Sequence, residues 1–167
     1  MSLAPLMTSN SEHWCTPPVV LETVSKFNDG KSIYLDPCSN ANSIVGALEE
    51  WRLERDGDSL EKPWPSLGLA FINPPFGDAL KRWAEKLAYE AARGVEIVAL
   101  LPARTDTVWF THVWSAQAIC FWRRRLKFLG APSSAPFPSC IAYWGPRVYR
   151  FADVFEKRGH VVLGVGR

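Results

Sequence analysis

The segment Phe71-Ile72-Asn73-Pro74-Pro75-Phe76 sets a neutral amide, two consecutive prolines and an aromatic ring directly after an apolar run. A strand that runs into two prolines ends in a stiff turn and cannot go on pairing. Such a set suits chemistry at an exocyclic amino group, adenine N6 being the clearest case. That nitrogen is a poor nucleophile because its lone pair is delocalised into the ring. Two acceptors that take its two hydrogens favour a more tetrahedral nitrogen and free the lone pair for attack. The side-chain oxygen of Asn73 and the main-chain oxygen of Pro74 are the candidate acceptors. Pro75 would lock the turn, and Phe76 would stack on a base swung out of its duplex. The plainer alternative is a strand-ending turn in which Asn73 satisfies loop backbone groups and Phe76 belongs to the core.

Three further groups of residues carry chemistry. Thr16-Pro17-Pro18 reads as a helix start, with Thr16 as cap and Pro17 at the first helical position. The free N–H groups there would cradle a carboxylate. Asp36, before Pro37, can accept hydrogen bonds from an ammonium group or simply form a turn. The third group is basic and aromatic: Arg123, Arg124, Arg125 and Lys127 interleave with Phe121, Trp122 and Phe128. In a strand, alternation would send Arg123 and Arg125 to one face and Arg124 to the other. Phosphate contact and a plain solvated face both fit that pattern. His13, His112 and His160 share no metal or catalytic spacing, so no metal site is expected.

The elements that must position these groups follow from periodicity and punctuation. A helix over 16–28 carries Val20, Val24 and Phe27 inward and closes at Asp29-Gly30. A short strand over 31–36 ends on Asp36-Pro37. Residues 40–54 read as a helix with Ile44, Leu48 and Trp51 on one face, followed by a polar, turn-rich stretch to Pro65. Leu69–Ile72 reads as a strand, and Asp78 as the cap of a helix with Leu80, Trp83, Leu87 and Ala91 inward and Gly94 as its stop. Residues 95–101 form the most convincing buried strand. A helix at 106–114 and strands near 118–122, 125–129 and 139–144 follow. A helix near 150–158 and a strand near 160–165 end the chain. Alternating strands and helices imply an α/β fold with a mostly parallel sheet, finished by an antiparallel hairpin. Asn73 then falls at the carboxyl end of a parallel strand, where open α/β sheets bind ligands. Arg104, just after the strongest strand, would share that edge.

Length and composition bound the rest. A chain of 167 residues suits one domain over 1–167, with residues 1–12 read as a disordered tail. A formal net charge of +2 permits a nucleic-acid partner without demanding one, and the 8 Trp suit base stacking as well as a core. The 4 Cys are scattered, which favours a reduced, cytoplasmic setting over a disulfide framework. No apolar run approaches the ~18 residues of a membrane span.

Asn-Pro-Pro-Phe after an apolar strand is similar to the catalytic motif of amino-methyltransferases. His13-Trp14-Cys15-Thr16-Pro17-Pro18 resembles the helix start that holds the methionine end of their cofactor. Leu35-Asp36-Pro37-Cys38-Ser39-Asn40 resembles the first-strand motif that lines the cofactor pocket. The stretch Leu100–Trp144, with LPARTDTVWF, RRLKFLG and FPSCIAYWG, is similar to short phage DNA N6-adenine methyltransferases of Dam type. The resemblance spans nearly all of 12–145. It implies a Rossmann-like fold, S-adenosyl-L-methionine as cofactor, double-stranded DNA as partner and GATC as site. It implies catalytic roles for Asn73, Pro74, Pro75 and Phe76. It implies cofactor contacts from Trp14, Thr16, Pro17, Asp36 and Pro37; the DNA contacts expected of Arg104, Arg123, Arg125 and Lys127 rest on the basic cluster and the shared sheet edge. Two departures matter. The glycines expected after the first strand are replaced by Cys38-Ser39-Asn40. Only 37 positions separate Asp36 from Asn73, so the first half of the sheet should be shortened. Glu54, Asp56 and Asp58 are the candidates for the ribose, and Asp58 before Ser59-Leu60 resembles the phage pattern best. The same motif also serves enzymes acting on RNA or on protein glutamine, and a non-catalytic DNA-binding protein can keep the fold.

Overall fold

The computed structural model describes residues 14–164; the expected tail over 1–12 and His13 lie outside them. Helix α1 (Pro18–Phe27) buries Val20, Val24 and Phe27 at the expected spacing. It starts one position late. The residue before a proline is forced into extended backbone, so Pro17 (φ −64°, ψ 143°), and not Thr16, occupies the cap position ahead of Pro18. Strand β1 (Leu35–Asp36) is only two residues long, shorter than the expected 31–36.

The expected helix over 40–54 does not form. Its place is taken by turns, a two-residue strand β2 (Glu49–Glu50) and a single helical turn α2 (Leu53–Asp56). Ile44 and Leu48, assigned to an inner face, are 47% and 69% exposed. Short polar side chains take the backbone donors instead. Cys38 N–H donates to Asp36 Oδ1, Asn42 N–H to Asn40 Oδ1, and Val45 N–H to Ser43 Oγ. Such local bonds compete directly with helical ones.

Strand β3 (Leu69–Ile72) is buried throughout and stops at Asn73-Pro74-Pro75. Helix α3 (Leu80–Ala92) turns Leu80, Trp83 and Leu87 inward, and Gly94 at φ +91° closes it. Ala79 stands at its cap without a side-chain bond, so Asp78 does not play the expected capping part. Glu90, on the same inner face, is fully buried and held by Lys86 and Arg93, each at 2.6 Å. Strand β4 (Glu96–Pro102), helix α4 (Phe110–Val113), β5 (Ala118–Trp122), β6 (Ser139–Trp144), α5 (Val148–Phe155) and β7 (Gly159–Leu163) complete the described chain. No strand forms over 125–129: those residues belong to a long irregular connection from β5 to β6.

The seven strands make one mixed sheet in the order β2-β1-β3-β4-β6-β5-β7. Strands β1 to β4 pair in parallel, β6 is antiparallel to β4 and β5, and β7 is antiparallel to β5. Five strands therefore share one direction and β6 and β7 oppose it. The expected antiparallel end is present, but as three strands rather than a hairpin, because β5 finds partners on both sides. Helices cover both faces, as successive residues of β6 show. The Tyr143 ring packs on Phe27 of α1 and Phe151 of α5, whereas Trp144 Nε1 donates to Ser115 Oγ after α4.

Candidate active site

The chain leaves β1 to place β2 on one side and later β3 on the other. The sheet therefore has a switch point between β1 and β3, where the two departing segments diverge and leave a crevice. A cavity of about 420 Å³ opens there, at the carboxyl ends of both strands. Its size is in the range of small-molecule sites. One wall is Pro37, Cys38, Ser39 and Asn40 after β1; the opposite wall is Asn73, Pro74, Pro75 and Phe76 after β3. Trp14 closes one side, and Leu53, Glu54 and Asp58 close another.

Asn73 donates from Nδ2 to the main-chain oxygen of Trp14 at 3.3 Å. That bond occupies the donor end of the amide. Phe76 lines the cavity but is only 6% exposed, since Phe128 and Phe137 meet its ring edge-to-face at 5.6 and 5.4 Å. Ser39 carries a buried hydroxyl with no partner among the described residues, and it stands on the cavity wall. An unpaired buried hydroxyl is costly unless a ligand completes it.

Asp36 lies behind that wall. Its carboxylate accepts from Cys38 N–H at 3.1 Å and Ser43 Oγ at 3.4 Å, folding the turn that shapes the cavity. Burial raises its pKa from the ordinary 3.8 to about 7; the nearby charge of Glu50 adds to this, and the Cys38 N–H opposes it. Burial, together with the Asp36 charge, also pushes the Cys38 thiol well up. Thr16 and Pro17 are buried beside Trp14 and, like Asp36, are not on the cavity surface. Of the three acidic candidates near α2, Asp56 is spent locally, bonded to Arg52 N–H and Arg55. Glu54 and Asp58 face the cavity. Asp58 accepts from Leu60 N–H at 2.9 Å and Arg82 at 3.1 Å. Sequence reasoning missed Ser39 and Arg82. Ser39 reads as an ordinary turn residue, and Arg82 stands on the polar side of an amphipathic helix.

The basic residues share this edge of the sheet. Strand β5 runs parallel to β4, so Arg123 and Arg125, which follow β5, emerge on the same side as Arg104 after β4. Arg123, Arg124, Arg125 and Lys127 are all exposed. Arg124 takes φ +67°, so the strand alternation expected to turn it to the opposite face does not apply. Arg104 lies 5.8 Å from the Phe137 ring centroid, which places it one ring away from Phe76. His112 approaches Glu85 at 3.9 Å, and His160 is exposed on β7. Among the described residues no three His, Cys, Asp or Glu side chains gather, and no helix is long and apolar enough to cross a membrane.

A mixed α/β sheet thus carries a ligand-sized cavity at its switch point, walled by an amide and two prolines. The family follows from the sequence as a whole. The model of the DNA N-6-adenine-methyltransferase (Dam) family matches residues 4–139, and the chain belongs to that family. No curated protein matches the chain.

Proposed function

We propose that the chain transfers a methyl group from S-adenosyl-L-methionine to N6 of an adenine turned out of double-stranded DNA, on a Rossmann-like methyltransferase fold. The observation that carries this is the Asn73 amide. It stands on the cavity wall with its NH2 end tied to a carbonyl, which leaves its oxygen to accept. With the Pro74 carbonyl it supplies the two acceptors that an unreactive amino group needs.

The donor set fits the cofactor. Ser39 offers an unpartnered hydroxyl, Asp58 and Glu54 offer carboxylates for hydroxyl groups, and Trp14, Pro37 and Pro75 offer apolar walls. When bound, the cofactor supplies an electrophilic methyl group on a sulfonium. Asn73 and Pro74 hold the amino hydrogens and draw the nitrogen toward tetrahedral geometry. Pro75 keeps the turn rigid, and Phe76 gives the base an aromatic face on the cavity side. Thr16 and Pro17 lead the chain from Trp14 into α1, and Asp36 shapes the Cys38–Ser43 turn and places its carboxyl behind the wall. Arg104, Arg123, Arg125 and Lys127 hold phosphates along the same edge.

Transfer of labelled methyl from S-adenosyl-L-methionine to duplex DNA, RNA and protein offered in parallel tests the reading. Label in adenine N6 of DNA is the expected result. Label confined to RNA or protein would replace the substrate, and no cofactor binding by calorimetry would remove the enzyme assignment.

A further inference from the structure

Asn73 can accept from an amino group in only one of its two amide orientations. Rotated by half a turn about its last bond, it presents two donors where the reaction needs an oxygen. The orientation is set by the bond from Nδ2 to Trp14 O, because a main-chain carbonyl accepts only. Trp14 itself lies in irregular chain ahead of α1. Its carbonyl must therefore be held by something else.

Two contacts hold it, and both come from the basic connection after β5. The Trp14 indole stacks on Phe128 at 5.7 Å and 27°. The next residue, Cys15, exchanges both backbone hydrogen bonds with Leu129, at 3.1 and 3.0 Å. Phe128 is 1% exposed and also meets the Phe76 ring at 5.6 Å. One side chain thus touches the residue that orients Asn73 and the ring expected to receive the base. Its neighbours Lys127 and Leu129 are exposed, so the segment turns only Leu126 and Phe128 inward.

We propose that Phe128 is a positioning residue for the methyl-transfer step: by clamping Trp14 it keeps the carbonyl in place that orients the Asn73 amide. The inference rests on the methyltransferase reading, which alone gives the Asn73 oxygen its task. The test uses the full chain with Phe128→Leu and the milder Phe128→Met. Hydrogen exchange of the Asn73 side-chain amide, assigned by its absence in Asn73→Ala, reads the orientation without any turnover. Exchange about tenfold faster in both folded variants is expected. Single-turnover methylation of duplex DNA should fall about tenfold or more, since small misplacements near reacting atoms are costly. In an Asn73→Ala background Phe128→Leu should cost little further rate, because the group it positions is gone. Unchanged amide exchange, or losses that add fully with Asn73→Ala, would overturn the assignment and leave Phe128 as core alone. A wild-type chain that never methylates DNA overturns the functional reading instead, and the amide exchange still decides what Phe128 does.

Discussion

Asn73 and Phe76 neighbour each other along the chain, yet the structure asks different things of them. Asn73 is a half-buried amide with one end committed, whereas Phe76 is a nearly buried ring gripped by two others. In the proposed mechanism Asn73 acts on the amino group as it becomes tetrahedral, so its contribution would belong to the chemical step. Asn73→Ala should leave cofactor affinity nearly intact and lower single-turnover methylation by ~10²-fold or more, the scale of one transition-state hydrogen-bonding group. A folded Asn73→Ala protein with wild-type rate would remove the proposed mechanism, and its thermal melt must accompany the rate. Phe76→Ala should harm both base capture and rate, since stacking supports a flipped base by ~1–3 kcal/mol. It should also lower the melting temperature, because the ring completes the Phe128–Phe137 cluster. Phe76→Trp should retain much more activity than Phe76→Ala, because it keeps an aromatic face. The turn was legible at this scale because two consecutive prolines cannot go on pairing and so end the strand before Asn73. Ser39 was not, because nothing in a sequence marks a hydroxyl that folding leaves unpaired.

Elements were legible in proportion to how far one physical signal prevailed. Strands β3 and β4 stood out as unbroken apolar runs, and α3 as a stripe ending at a glycine. The helix expected over 40–54 failed because its apolar spacing and the short polar side chains of Asp36, Asn40 and Ser43 argue opposite structures. The side chains won, and the polar turn they make is the cavity wall. The strand expected near 125–129 failed for a related reason. Alternating inward Leu126 and Phe128 imitate a strand, but β5 already has β6 and β7 as partners. The result is a basic ribbon tied by one bridge at Leu129 to Cys15 and free to present its charges outward. If Arg123 and Arg125 each contact a phosphate, Arg123→Ala/Arg125→Ala should reduce the slope of log affinity against log salt by about two units. Equilibrium binding to duplex DNA across a salt series checks this, and an unchanged slope would make the cluster a solvated face.

The whole molecule divides its sheet between two tasks. At the end opposite the cavity, Arg147 donates to Glu96 at 2.8 Å and to Asn28 Oδ1 at 2.9 Å, lies 4.4 Å from the Phe27 ring centroid and pins α1 to β4 and β6. Tyr143 donates to the same Glu96 at 2.6 Å. Arg147→Ala should cost about 1–3 kcal/mol of stability, the upper end of a partly exposed charge-assisted network, while the methylation rate of the folded protein stays unchanged. Asp36 is the converse, a buried charge at the working end. Its carboxyl titrates near 7 in the native protein, well above its ordinary 3.8. Below about pH 4 both folded and unfolded chains hold this proton, and the group has no effect on stability. Between about pH 4 and 7 the unfolded chain releases the proton while the native chain keeps it, so stability falls as pH rises; above 7 the penalty is constant. Asp36→Asn removes that penalty and can still accept from Cys38 N–H. It should raise the melting temperature at pH 8 by on the order of 5 °C and change it little at pH 4. The same substitution should weaken S-adenosyl-L-methionine binding by removing charge behind the cavity wall, and Asp36→Ala should weaken it further by also releasing the Cys38 turn. Melting curves from pH 4 to 8 alongside titration calorimetry measure both sides. A stabilised Asp36→Asn protein with wild-type cofactor affinity would show that the charge serves neither stability nor binding, and would take Asp36 out of the site.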